Sequence, residues 1–139
     1  MKKVLIAVMI VSTVFMISSW ACAAKPGFDS KEIRLAQWGP QTGPAAPWGS
    51  VARGTDILVK LVNDEGGIHG RKIKYFIRED QYNPAQTKAV VKELVEREGI
   101  FAFVGGVSAA AGMAVKGYLA ENKVIWVGPA TAINEYVFP

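Results

Sequence analysis

Ile100-Phe101-Ala102-Phe103-Val104-Gly105-Gly106-Val107-Ser108 is the stretch whose reading decides the fold. Its first five residues are apolar without interruption, the pattern of a short strand buried on both faces of a parallel sheet. Gly105-Gly106-Val107-Ser108 is a turn out of that strand. Ala109 to Glu121 then reads as a helix, with Met113, Val115, Tyr118 and Leu119 as core candidates. A buried strand that leads through glycines into a helix is half of a β-α-β unit, so the flanking sequence is expected to repeat the pattern.

It does so in both directions. Downstream, Val124-Ile125-Trp126-Val127 reads as another strand, left through Gly128-Pro129-Ala130-Thr131-Ala132. Upstream, Asn83-Pro84-Ala85-Gln86 opens a helix. Asn83 is a cap, Pro84 suits the first helical position, and Gln86 stands where a capping-box partner belongs. Ala89, Val90, Leu94 and Val95 give that helix a buried stripe, and Gly99 stops it. Lys72 to Glu79 is a strand followed by Asp80-Gln81-Tyr82. Ser50 to Glu65 is a helix with Val51, Ile57 or Leu58, and Leu61 with Val62 on its apolar side, closed by Gly66-Gly67. Glu32 to Gln37 alternates as a first strand.

The order is β-α-β-α-β-α-β, which calls for an α/β fold with a parallel sheet, flanking helices and right-handed crossovers. Ligands of such sheets bind outside the carboxyl ends of the strands. Here those ends are the loops Gln37–Ser50, Asp80–Asn83, Gly105–Ala109 and Gly128–Ala132. The first carries three prolines, three glycines, Trp38 and Trp48, and no charge. Two large rings in a loop need a cover, either a ligand or the core.

The chain has 139 residues, half of them hydrophobic, and a net charge of +4. This suits one ordered domain and excludes a disordered chain. Lys2 and Lys3 supply two of the positive charges and the rest are scattered among acids, which gives no case for nucleic acid. Those two lysines, the apolar run Val4 to Ile17, and the small residues around Ala21-Cys22-Ala23-Ala24 read as a signal peptide over residues 1–23, cleaved after Ala23 or Ala24. An uncleaved anchor is the rival reading. The domain proper is 24–139. Cys22 is the only cysteine, so no internal disulfide forms. Trp20 and Ser19 speak against Cys22 as a lipid-bearing residue, and it is expected to leave with the leader.

At the binding edge, Gly105-Gly106-Val107-Ser108 lets backbone approach a ligand. The helix behind it aims its first N–H groups at the same place, which favours an anion such as a carboxylate. Ser108 and Thr131 add hydroxyl groups, while loops 37–50, 105–112 and 128–134 contain no Lys or Arg. Ser108 is equally a plain helix cap. Neither G-x-G-x-x-G nor G-x-x-x-x-G-K-[ST] occurs, so nucleotide binding is not expected. His69 is the sole histidine, and Ser108 has no base to activate it. Asp80 is a lone acid, no Cys/His cluster offers a metal site, and neither an enzyme nor a cofactor is expected.

These segments resemble the N-terminal lobe of the leucine/isoleucine/valine-binding type of periplasmic substrate-binding protein, which serves ABC importers. The resemblance rests on Ile33-Arg34-Leu35-Ala36, Thr42 to Gly49, Asn63-Asp64-Glu65-Gly66-Gly67-Ile68-His69-Gly70-Arg71-Lys72-Ile73, Glu79-Asp80 through Asn83-Pro84, Phe103 to Gly106 with Ser108, and Gly128-Pro129-Ala130-Thr131. It implies a two-lobed trap whose first lobe holds an amino acid's carboxylate through Ser108 or Ala109 and through Ala130 and Thr131. It implies that Trp48 covers the ligand's side chain, with Trp38 either a further contact or a packing residue. Where some members have serine this chain has Ala109, and where some have cysteine near Tyr82 and Ser108 it has none. The implied function is an exported, periplasmic solute-binding component for branched-chain amino acids or related small carboxylates and amides, with an ABC permease as partner. The family's second lobe is not in the sequence, so a truncated chain is expected. A ligand-sensing receptor domain and a non-functional product are the alternatives.

Overall fold

A computed structural model describes residues 27–131 and residue 133. The signal-peptide reading and Ala132 fall outside these described residues. Four strands form one sheet in the order β2-β1-β3-β4, every pair parallel. They are β1 (Glu32–Trp38), β2 (Lys72–Arg78), β3 (Ala102–Val104) and β4 (Ile125–Val127). The helices between them are α1 (Ser50–Asp64), α2 (Pro84–Glu93) and α3 (Ala109–Glu121). A 3-10 turn, Ala46–Gly49, precedes α1, and α2 runs on through a π-helical turn, Leu94–Glu98. The expected β-α-β-α-β-α-β order is therefore present.

The core lies between the sheet and the pair α2 and α3. Register pairs Ala36 with Phe103 and Phe103 with Trp126, so these side chains share one face. Trp38 is fully buried there, with its ring centroid 5.0 Å from that of Phe103 and 5.1 Å from that of Trp126. Val91, Leu94, Val115 and Leu119 close the layer from the helices. Each such side chain stabilises the fold by roughly 1.5–3 kcal/mol on burial.

On the opposite face α1 sits against β2. Asn63 ties its last turn down: Nδ2 donates to the Ile73 carbonyl at 2.8 Å and Oδ1 accepts from the Ile73 N–H at 2.7 Å. Ile125 and Val127, which alternate with Trp126, point to this same face and stand about half exposed at 49% and 53%.

Several core assignments differ from the sequence expectation. In α1 the buried residues are Ala52 and Val59, whereas Val51, Ile57, Leu58 and Leu61 are exposed. The helix has apolar residues on two sides, and small Ala52 lets the other side rest on the sheet. In α2 the buried stripe is Thr87, Val91 and Leu94; Ala89 is exposed, and Val90 and Val95 pack in part. Thr87 is inside because its Oγ1 donates to Asp80 Oδ2 at 2.8 Å, satisfying both groups. In α3 Met113 is exposed, while Ala111 and Gly112 are buried and let the helix come close to its neighbours. Phe101 is exposed and meets Phe28 edge-on and Val104 is half-buried, so Ile100, Ala102 and Phe103 are the buried members of the apolar run.

The start of α2 follows the expected cap in part. Asn83 Oδ1 accepts from the Ala85 N–H at 2.8 Å. The capping box does not form: Gln86 Nε2 donates to Gln81 Oε1, and the Asn83 N–H donates to the Asp80 carbonyl. Gly99 ends the helical segment in the left-handed conformation, as expected.

Candidate functional site

The four strands end in loops along one edge, and two of these loops are locked together. The Gly105 N–H donates to the Val127 carbonyl at 2.8 Å, and the Ala130 N–H to the Gly106 carbonyl at 3.0 Å. Val107 and Ala130 form a further parallel bridge. Parallel pairing of β3 with β4 thus continues beyond the strands and carries Ser108 and Thr131 forward side by side. Trp126 Nε1 donates to the Gly105 carbonyl at 2.6 Å and fixes the turn from below.

Gly105 and Gly106 have φ of +86° and +95°, which favour glycine. A Cβ on Gly105 would lie 2.6 Å from Gln37 Oε1, and one on Gly106 would lie 2.6 Å from Trp38 Cζ2. The turn therefore lies flat on the end of β1. Ser108, at φ +88° and buried, caps α3 by accepting from the Ala111 N–H at 3.3 Å. A hydroxyl that accepts keeps a hydrogen to donate. The first turn of α3 begins beside it, and helix starts supply N–H donors to anions.

The expected site residues divide clearly. Ser108, Ala109, Ala130 and Thr131 stand together at the joined loops. Ala109, Ala130 and Thr131 are partly exposed. Trp48 lies on the 3-10 turn before α1 and is 63% exposed. Trp38 is fully buried, so of the two fates open to it in the sequence it takes the core, beneath Gly106. The Asp80–Asn83 loop follows β2, across β1 from the joined pair.

Polar groups beneath the site were not legible as such. Gln37 is fully buried on β1, and its Oε1 accepts from the Tyr75 hydroxyl at 2.6 Å. Burial pushes the Tyr75 hydroxyl up to about 12; a hydrogen bond with Thr55 opposes this and the negative charge of Asp56 adds to it. Gln37 Nε2 and Trp38 Nε1 are buried without a hydrogen-bond partner among the described residues. Burial also holds the Asp80 carboxyl above the usual range, against hydrogen bonds from Thr87 and Tyr82. Glu79 behaves oppositely. Partial burial raises its carboxyl, but hydrogen bonds from Gln81, Thr42 and Gln41 outweigh this and leave it below the usual range. The one signal for Glu79 in the sequence was an acid at a strand end facing an uncharged loop. Among the described residues no group of three or more His, Cys, Asp or Glu could hold a metal ion, and no helix is long and apolar enough to cross a membrane.

A profile of the periplasmic binding proteins matches residues 32–139. The Leu/Ile/Val-binding protein homolog 1 of Brucella abortus is 30% identical over 98 residues, 70% of this chain and 26% of that protein. The leucine-, isoleucine-, valine-, threonine- and alanine-binding protein of Pseudomonas aeruginosa is 28% identical over 104 residues, 74% of this chain and 28% of that protein. A substrate-binding periplasmic protein from Ralstonia solanacearum superposes with a TM-score of 0.73 at 28% identity, over 77% of this chain and 31% of that one. The chain thus spans about a quarter to a third of the length of these relatives. With its parallel sheet and flanking helices, the chain belongs to the periplasmic binding protein family, in the part that corresponds to the first lobe of the leucine/isoleucine/valine-binding type.

Proposed function

We propose that this chain forms the first lobe of an exported, periplasmic substrate-binding component of an ABC importer, and that its ligand is a branched-chain amino acid or a related small carboxylate or amide. The observation that carries the reading is the joining of the 105–108 and 128–131 loops by the Ala130–Gly106 hydrogen bond and the Val107–Ala130 bridge. That joint brings Ser108 and Thr131 beside the start of a thirteen-residue helix, and in this reading both hydroxyl groups face the ligand. Uncharged donors of this kind suit a carboxylate that must later be released, because no full positive charge holds it.

In this reading Ser108, Ala109, Ala130 and Thr131 bind the carboxylate end, and Trp48 covers the side chain. The half-cleft binds without chemical change, and a permease receives the solute. Residues 1–23 act as the export signal. Affinity grows with enclosure, so a single lobe binds weakly, on the order of millimolar.

The test is NMR titration of the chain with L-leucine, L-isoleucine, leucinol and leucinamide to about 10 mM, a concentration that reaches millimolar affinities. The expected result is saturable shifts at residues 105–112 and 128–131 for the amino acids, smaller ones for the amide, and none for leucinol. Absence of shifts at these residues for both amino acids and for leucinamide would overturn the proposal.

A further inference from the structure

The loop carrying Trp48 leaves β1 at Trp38 and makes little regular structure before α1. Gly39 continues the sheet by donating to the Arg78 carbonyl, and two short turns close on themselves, Ala46 N–H to Gly43 and Trp48 N–H to Ala45. Thr42, Gly43, Pro44, Pro47 and Trp48 are exposed. Such a segment is free to swing unless something outside it holds it.

Two charged side chains do so. Glu79 Oε2 accepts from the Gln41 N–H at 3.0 Å and from Thr42 Oγ1 at 2.8 Å, while its Oε1 accepts from the Gln81 N–H at 2.7 Å. One carboxylate thus ties the loop after β1 to the loop after β2. Gln41 relays the hold: its Nε2 donates to the Gly39 carbonyl at 3.2 Å, and its Oε1 accepts from Arg53 Nη1 at 3.1 Å. Arg53, on the first turns of α1, also donates through Nη2 to the Ala46 carbonyl at 3.4 Å, at the start of the 3-10 turn that bears Trp48. The path runs from Glu79 through Gln41 to Arg53 and reaches the turn two residues before the tryptophan.

We infer that Glu79, Gln41 and Arg53 form a brace that sets the position of Trp48, with Glu79 the positioning residue on which it hangs. The inference rests on the reading of Trp48 as the ligand's cover, and it adds residues that touch no ligand. Hydrogen bonds to an ionised carboxylate are stronger than neutral ones, and Glu79 receives three. The arrangement is economical, because an uncharged loop acquires a fixed shape without placing a charge of its own beside the crevice.

The test is amide hydrogen exchange on the 139-residue chain and its E79A, E79Q and R53M variants, read together with the indole N–H resonance of Trp48. In E79A the amides of Gln41, Ala46 and Trp48 are expected to exchange at least about tenfold faster, the factor carried by about one hydrogen bond to a charged group. The amides of α3 remain at their original rates, and the Trp48 indole signal shifts or broadens. E79Q keeps part of the acceptor set and falls between. R53M is expected to move residues 45–48 and the indole signal while leaving 41–42 protected. Unchanged exchange at 41–48 in E79A, or an unmoved indole resonance in both E79A and R53M, overturns the brace. L-leucine titration of the same samples separates the two readings. If the parent chain gives no leucine response, the proposed function fails while exchange still decides the brace. If W48A weakens the response and E79A does not, the brace fails as a positioning device.

Discussion

Replacing Gly106 with alanine puts a methyl carbon 2.6 Å from Cζ2 of the fully buried Trp38. Two costs add. An L-residue in a left-handed backbone costs roughly 1–2 kcal/mol, and φ here is +95°. Forcing a methyl into a packed site costs about 1–3 kcal/mol more, since the ring lies between Phe103 and Trp126 and has nowhere to retreat. The total, about 2–5 kcal/mol, is a large share of the roughly 5–15 kcal/mol that holds a domain folded. Gly70 supplies the control: its φ is +78° and nothing lies within 4 Å of its added Cβ, so G70A carries the backbone cost alone. Urea unfolding of both variants should place G106A below G70A by about 1–3 kcal/mol. Trp38→Phe removes the clashing atom, so G106A should cost less in that background, a positive coupling in a double-mutant cycle. Equal destabilisation by G106A and G70A, or no coupling to Trp38, would refute the account of the turn as resting on the ring.

Trp48→Ala should leave the urea midpoint nearly unchanged, because the ring is 63% exposed, while reducing the chemical-shift response to L-leucine by several-fold. Ser108→Ala should cost about 1 kcal/mol through the lost cap, and Ser108→Gly less, since glycine accepts the φ of +88°; chemical denaturation orders the two. Ultraviolet titration at alkaline pH should show one tyrosine ionising near pH 12 that is missing in Tyr75→Phe. The hydroxyl is harder to ionise in the folded chain than in the unfolded one, so stability contributed below pH 10 is lost as pH climbs toward 12. The raised Asp80 carboxyl has the same sign in the acid range: its contribution is fully present below its unfolded value and is lost as pH rises through its folded value. The difference in stability between the parent and Asp80→Asn should therefore favour the parent increasingly as pH falls, and a flat difference would refute the burial of that charge.

The strand–helix order was readable because each element is bounded by strong punctuation, such as Asn83-Pro84 before α2 and Gly99 after it. The bounds of α3, Ala109–Glu121, match the sequence reading. Which side of a helix meets the sheet was far less readable. Val51, Leu58 and Leu61 make as good a stripe as Ala52 and Val59, and spacing alone cannot say which one the sheet receives. Thr87 was passed over because an apolar stripe is sought among apolar residues, whereas its place is set by the Asp80 carboxylate seven residues away. In the candidate site, glycines and a cap marked the 105–108 turn. The brace was invisible because Glu79 and Arg53 reach their partners 37 and 7 residues away in sequence, Thr42 and Ala46, and only folding brings them together.

The flat seating of Gly105 and Gly106 on Gln37 and Trp38 limits how this turn can change over evolutionary time. Two of its positions accept no side chain. Point mutation cannot retune a surface built in that way; it can only break it. Change is therefore channelled to surrounding positions such as the exposed Trp48, whose side chain rests on no such floor. A lineage of such lobes would keep one floor and vary its walls.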